Sequence, residues 1–299
     1  MAANHQRKWA GVTGGSVLGQ KALLLLFRMV GIKTLYAVMA LVIPFYMLFR
    51  PQGYRPVYRY FRKHFHCSPF RAFLKTYRNH FVFGQCLLDR FSVYSGKHNF
   101  SLQFTGNQYF KELIAGEKGF IIASSHTGNF ELSGYLLQQN RKVIHTLVYG
   151  GETKEIMKNR TRVLHKNHIS LIPVDNDLSH IFAVNDALSG GNAVSTPCDR
   201  ISGSERYVEC SFLEGKADFP TGAFMMAMQF DVPVIAIFVM KESLSRYHLY
   251  VRPIRIEHAD TLSKKEKAAL YATTFAKELE IIVKKYPEQW FNYYEFWKK

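Results

Sequence analysis

The 299-residue sequence predicts an α/β domain built on a mixed, largely parallel sheet flanked by helices and preceded by a helical, membrane-associating segment. Three observations predict it. Beyond residue 100, short apolar runs alternate with helix-like stretches, the pattern of parallel strands joined by helical crossovers. Before residue 100, apolar blocks are interleaved with cations. From Met1 to Phe110 fifteen Lys and Arg face a single acid, Asp89, so this third of the chain carries +14 of the total +16. The expected organisation is an anchoring, basic and aromatic helical region over 1–100 and an α/β domain over 101–299.

In the first region, "TLYAVMALVIPFYMLF" from Thr34 to Phe49 is uncharged for 16 residues between Lys33 and Arg50. A spanning helix wants about 20 apolar residues. Three arrangements are open: a short or tilted span, a re-entrant hairpin broken at Pro44, and a helix buried in the domain. The late start of the apolar block and the "RPQGYRP" behind it argue against a cleaved signal peptide. Next, "VYRYFRKHFH" and "PFRAFLKTYRNHFVFGQCLLDRF" place aromatic and basic residues at helical spacing. Such side chains suit the headgroup layer, where one end is wet and the other apolar. The positive charge fits an anionic membrane surface or an acidic carrier protein. Nucleic acid is disfavoured, because the cations are interleaved with a long apolar run and no recognition-helix, RRM-like or zinc-finger pattern occurs.

In the second region, strands are predicted at 101–105, 119–125, 142–149, 169–173, 192–198, 206–212, 232–239 and 247–256. Helices are predicted in "NQYFKELIAG", "NFELSGYLLQQN", "TKEIMKNRTRVLHK", "LSHIFAVNDALSGG" and "TGAFMMAMQF", with a last one from about Ser263 to Tyr286, stopped by Pro287. The four cysteines, Cys67, Cys86, Cys198 and Cys210, form no CxxC pair and no metal-like cluster with histidine. Reduced thiols are expected, with neither a metal nor another cofactor.

In parallel sheets, sites form in the crevice at the carboxyl ends of strands. The stretch "ASSHTGNFE" places His126 where the strand "GFIIASS" ends. Gly128 permits a tight turn, Asn129 is a suitable N-cap, and Glu131 falls in the first helical turn. Residues five apart on one helix diverge, but a turn between them lets the carboxylate accept from one ring nitrogen while the other stays basic. The expected arrangement is a His126/Glu131 general-base dyad.

"SSHTGNFEL" resembles the His-x4-acid signature of the glycerolipid acyltransferase superfamily, in the version of the bacterial lipid A late acyltransferases. Two further blocks are similar in order: "CDRISGSERYVECSFLEGKADFPTGAFMMAMQFDVPVIAIFV" and the closing "PEQW". The resemblance, over about residues 20 to 297, implies a glycerolipid acyltransferase-like fold and an O-acyltransferase of the inner membrane with its catalytic domain facing the cytoplasm. A fatty acyl chain would pass from acyl-carrier protein or acyl-CoA to a hydroxyl of a glycolipid, a lipid A precursor. His126 would be the base and Glu131 its partner. Asn129, Asp199, Arg200, Gly215 and one of Arg160 or Arg162 would surround the substrates. The oxyanion would be met by Arg200 or by backbone N–H groups near Gly128. Two departures from the family pattern stand out: Phe130 for the usual Trp, and Glu214 where Gly is usual, with Gly215 one position later. A lysophospholipid or aminolipid acceptor is the alternative. A thioester or lipid hydrolase using the same pair on water is a further one, although no G-x-S-x-G nucleophile elbow is present.

Overall fold

All eight predicted strands form in the computed structural model, which describes residues 30–94, 100–133, 141–149, 164, 168–174, 179–201, 206–257 and 261–298. They are β1 (Ser101–Thr105), β2 (Phe120–Ser124), β3 (Ile144–Tyr149), β4 (Ile169–Val174), β5 (Ala193–Pro197), β6 (Tyr207–Phe212), β8 (Val234–Lys241) and β9 (Arg246–Ile254). A ninth strand, β7 (Gly215–Pro220), was not expected and pairs with β6 as a separate antiparallel hairpin. The other seven form one sheet in the order β1-β9-β8-β2-β5-β3-β4. Every neighbouring pair is parallel except β8 with β9.

β2 and β8 lie in the middle of the sheet and are buried along their full lengths, which explains their unbroken apolar runs. Their alternating side chains divide between two cores. Ile121, Ala123, Ala236 and Phe238 join one core; Phe120, Ile122, Ile235 and Ile237 join the other. The first is capped by α6 (Gly222–Gln229) and α7 (Lys264–Lys285), the second by α4 (Asn107–Ala115). α5 (Ser179–Ser189) packs beside β4 and β5. The last helix starts as the sequence suggests: Ser263 and Glu266 form a reciprocal capping box. The predicted helix "TKEIMKNRTRVLHK" lies outside the described residues apart from Leu164, and "NFELSGYLLQQN" is described only through a 3₁₀ turn, Phe130–Leu132, and Ser133.

Among the described residues, three helices precede the sheet: α1 (Ile32–Phe49), α2 (Pro51–Lys63) and α3 (Pro69–Tyr94). α1 runs through Pro44 without a break, so the hairpin considered at that proline does not form. It lies along α3 in the opposite direction: Tyr36 reaches Asp89, Met39 packs on Gly84, and Tyr77 donates to the Ala40 carbonyl. α2 and α3 grip the C-terminal segment. Tyr60 donates to the Pro287 carbonyl at 3.1 Å, Lys75 meets Glu288 at 2.5 Å, and the Asn79 amide donates to the carbonyls of Glu288 and Trp290. All four cysteines are free and buried.

Phe275 of α7 is fully buried among Phe219, Phe224 and Phe238. Phe275→Ala is expected to destabilise the protein by about 3 to 5 kcal/mol, the usual cost of such a cavity, measured by the thermal or urea midpoint. A loss below about 1 kcal/mol would mean that this core does not close as described.

Candidate active site

β2 and β5 are parallel neighbours in register, with Ser124 opposite Pro197, and the Cys198 N–H donates to the Ser124 carbonyl. Whatever follows one strand therefore emerges beside whatever follows the other. After β2 comes His126; after β5 come Asp199 and Arg200. The Asp199 carboxylate accepts from the His126 backbone N–H at 2.9 Å and lies 2.8 Å from His126 Nδ1. The Trp290 indole N–H donates to the same carboxylate at 3.3 Å. Asp199 is buried, at 1% side-chain exposure, whereas the imidazole keeps 20%. A carboxylate can only accept, so Nδ1 carries the proton and Nε2 presents its lone pair.

Glu131 was expected on the imidazole as its hydrogen-bonding carboxylate. On Nδ1 that place is held by Asp199, from 73 residues downstream, and Glu131 forms an ion pair with Arg90 of α3. The reason is local. The 3₁₀ turn carries Glu131 round toward α3, while β5 delivers Asp199 directly beside the strand end. Glu131 still contributes a negative charge close enough to stabilise imidazolium.

Burial, with the Arg200 charge beside it, pushes the His126 imidazole below its ordinary value; the Asp199 carboxylate and, less strongly, Glu131 pull the other way. For Asp199, burial raises the carboxyl, but the charge and hydrogen bond of His126 together with the Arg200 charge outweigh it, so Asp199 sits below the usual carboxylate range. At neutral pH the site thus holds a neutral imidazole against an ionised Asp199.

The turn after His126 is tightly tied. Gly128 has φ +51°, and a Cβ there would come within 2.0 Å of the Val239 carbonyl oxygen, so only glycine fits. Its N–H donates to the Gln289 carbonyl and the Asn129 N–H to the Val239 carbonyl, each at 2.7 Å, while Phe291 N–H donates to the His126 carbonyl. The Gly128 and Asn129 amides, considered above as oxyanion donors, are therefore already engaged. Arg200 brings a positive charge to the imidazole. Its guanidinium donates to the Phe291 carbonyl at 2.5 Å and lies over the Tyr294 ring.

The other expected substrate residues fall elsewhere. Asn129 occupies the N-cap position, but its side chain makes no cap. It points into the body, 2% exposed, and donates to the Cys86 carbonyl and the Tyr247 hydroxyl, each at 3.0 Å. Gly215 opens β7 under the Trp297 ring, where a Cβ would come 2.3 Å from Cδ1. The preceding turn places Leu213 at φ +47° and Glu214 at φ +60°, which is why glycine is the easier residue at position 214. Arg160 and Arg162 lie outside the described residues. Among the described residues no group of three or more His, Cys, Asp or Glu could hold a metal ion.

The sequence reading did not single out Asp199 as the imidazole's partner, nor Arg90, Trp290 or Gln289 as its supports. The closing "PEQW" carried the signal for the last two, yet its spacing alone could not say what it touches. Gln289 joins two walls of the site. Its amide exchanges two hydrogen bonds with the Lys241 backbone on β8, at 2.7 and 2.9 Å, and its carbonyl holds Gly128.

A search among curated proteins finds no match. The family described as "Bacterial lipid A biosynthesis acyltransferase" matches residues 84–299, a span that takes in the His126 turn, Asp199, Arg200 and the C-terminal clamp. Such enzymes need an acyl donor and a lipid acceptor, and the apolar helix α1 accords with association to a membrane. The chain belongs to the bacterial lipid A biosynthesis acyltransferase family.

Proposed function

We propose that the protein transfers a fatty acyl chain from a carrier thioester to a hydroxyl of a lipid A precursor, with His126 as general base. The observation that carries this reading is the imidazole at the mouth of β2, partly open and held in one tautomer by the buried Asp199. Nε2 takes the acceptor's hydroxyl proton as the oxygen attacks the thioester carbonyl. The tetrahedral oxyanion collapses to the ester, and the proton on Nε2 passes to the departing thiolate, leaving a free thiol. Arg200 supplies positive charge beside the developing oxyanion. Asp199 orients the ring and stabilises the transient imidazolium, with Glu131, paired to Arg90, adding a weaker negative charge. The carboxylates of an acidic acyl-carrier protein and the phosphates of acyl-CoA both suit the cationic N-terminal third. Comparing the two in one assay identifies the donor.

The enzyme would work on the cytoplasmic face of the inner membrane, with α1 lying in the surface rather than crossing it. α1 is packed lengthwise on α3, which carries Arg71, Lys75, Arg78, Asp89 and Arg90 and is therefore unfit for the hydrocarbon layer. The outer face of α1 exposes Leu41, Phe45, Leu48 and Phe49, Phe70 and Phe73 of α3 are exposed as well, and exposed cations stand between α1 and α2 (Arg50), on α2 (Arg55) and on α3 (Arg71). An apolar face fringed by cations fits an in-plane amphipathic anchor on anionic lipid.

His126→Ala is expected to lower acyl transfer by at least about 10², the low end for a lost general base. Asp199→Asn should cost at least about tenfold, as loss of the orienting carboxylate does in catalytic triads, and more than Glu131→Gln. Near-normal turnover by His126→Ala would refute the base assignment; a larger effect of Glu131→Gln than of Asp199→Asn would move the orienting role to Glu131.

Because the imidazole is held below its ordinary value of 6.5 and acts unprotonated, the acid limb of kcat/KM should fall below pH 6.5. Asp199→Asn removes an attraction for the proton and should move that limb lower still. A limb above pH 6.5 in the native enzyme would contradict the burial described.

Replacing Phe45 and Phe70 by Glu should reduce flotation of the full-length protein with vesicles containing anionic lipid. Residual binding should weaken with salt, since surface charges are screened over about 8 to 10 Å at physiological ionic strength. Undiminished, salt-insensitive flotation would place the membrane-binding face elsewhere.

A further inference from the structure

Beneath the His126 turn, five buried polar side chains from four separate elements and the turn itself are joined hydroxyl to carboxylate to amide. Tyr36 of α1 donates to Asp89 of α3, and so does Tyr247 of β9. Lys241, the last residue of β8, places Nζ 2.5 Å from Asp89 Oδ2 and 3.2 Å from the Tyr36 hydroxyl. The Asn129 amide donates to the Tyr247 hydroxyl at 3.0 Å. Asp89 and Lys241 are 0% and 4% exposed, and the ammonium sits over the rings of Tyr36, Phe100 and Tyr247 at 5.0 to 5.4 Å. A buried ion pair is weak support for stability compared with apolar residues of the same volume, so its chief physical effect is to fix one arrangement of the groups around it. Asp89 is also the only acid in the first 110 residues, where cations are plentiful.

The chain of bonds has a direction. A tyrosine hydroxyl has one proton to donate; Tyr247 gives it to Asp89 and therefore meets Asn129 as an acceptor. The carboxylate's orientation is set in turn by Tyr36 and Lys241. Asn129 stands three residues after His126, and its carbonyl accepts the Leu132 N–H that closes the turn. The main chain of the turn is tied to Gln289, Val239 and Phe291, and the Asn129 side chain is its link to the Cys86 carbonyl of α3 and to Tyr247, so a shift of Asn129 moves the loop that carries the imidazole.

We propose that Tyr36, Asp89, Lys241 and Tyr247 form a strut by which the seating of α1 on α3 sets the position of the His126 turn. These are positioning residues for the acyl transfer, and α1 is then a part of the active site's support as well as an anchor. The proposal rests on the reading of His126 as the general base.

The test uses the full-length protein in lipid vesicles, with an acyl thioester donor and a lipid A precursor. Tyr36→Phe and Tyr247→Phe each remove one hydroxyl and no charge. Each is expected to lower kcat about tenfold, since a misplacement of about 1 Å can cost about 10²-fold and a smaller one correspondingly less, with KM for the thioester within about twofold. The double variant should lose little more than either single one, because both act along one path. Vesicle flotation should be unchanged. Multiplied losses in the double variant, an effect on KM alone, or unaltered kcat in Tyr247→Phe would each overturn the strut. If either tyrosine variant melts more than a few degrees below the native protein, the pair Asp89→Leu with Lys241→Met supplies the second measurement. Low kcat with a restored melting midpoint supports the strut; recovery of kcat along with stability overturns it. His126→Ala in the same assay separates the two levels. If it stays active, the base assignment has failed, and if it is inactive while the tyrosine effects multiply, only the strut has.

Discussion

The candidate active site of this protein depends on one buried carboxylate. Asp199 takes two hydrogen bonds from His126, one from the main chain and one from the ring, and a third from the Trp290 indole. Desolvation opposes its charge, and only the concentration of donors and positive charge around it keeps it ionised. The parallel pairing of β2 with β5 is what makes that concentration possible, since it brings two strand exits 73 residues apart in sequence to one point. Gly128 then lets the chain fold back against β8 at a distance no other residue allows.

A second tie comes from the C-terminal segment. Pro287 to Phe291 runs between the first helices and the sheet, and almost every polar group in it is used: by Tyr60, Lys75 and Asn79 on one side and by Lys241, Gly128, His126 and Asp199 on the other. The site is therefore assembled from the middle, the N-terminal helices and the far end of the chain. Local contacts alone do not form it, and loosening any of the three releases hydrogen bonds at the other two.

The same geometry relates chemistry to the membrane. On the proposed function, a lipid A precursor holds its sugar hydroxyls at the bilayer surface, so His126 acting as the base would have to be presented there rather than in bulk water. α1 lies on α3 with its apolar face outward, and α3 also supplies Arg90 to Glu131 and Asp89 to the buried cluster. One helix pair thus bears on both the exposed apolar face and the turn that carries His126.

Much of the architecture was legible in the sequence because it is written in local patterns. Strand positions, the long last helix with its Ser263 cap and Pro287 stop, the family motifs and His126 at a strand exit all follow from apolar periodicity, turn chemistry and short signatures. The β6–β7 hairpin was missed because its turn uses Leu213 and Glu214 in left-handed conformations that such residues seldom adopt. What the tertiary structure alone decided was partnership. Spacing made Glu131 the natural mate of His126, yet a 3₁₀ turn carries it to Arg90, and strand order gives the Nδ1 position to Asp199. Nor could composition say that Asp89 and Lys241 meet in the interior, 152 residues apart. Local sequence sets which element a residue stands on; which elements lie side by side is set by the burial of their apolar faces against one another, and hydrogen-bond partners follow from that packing.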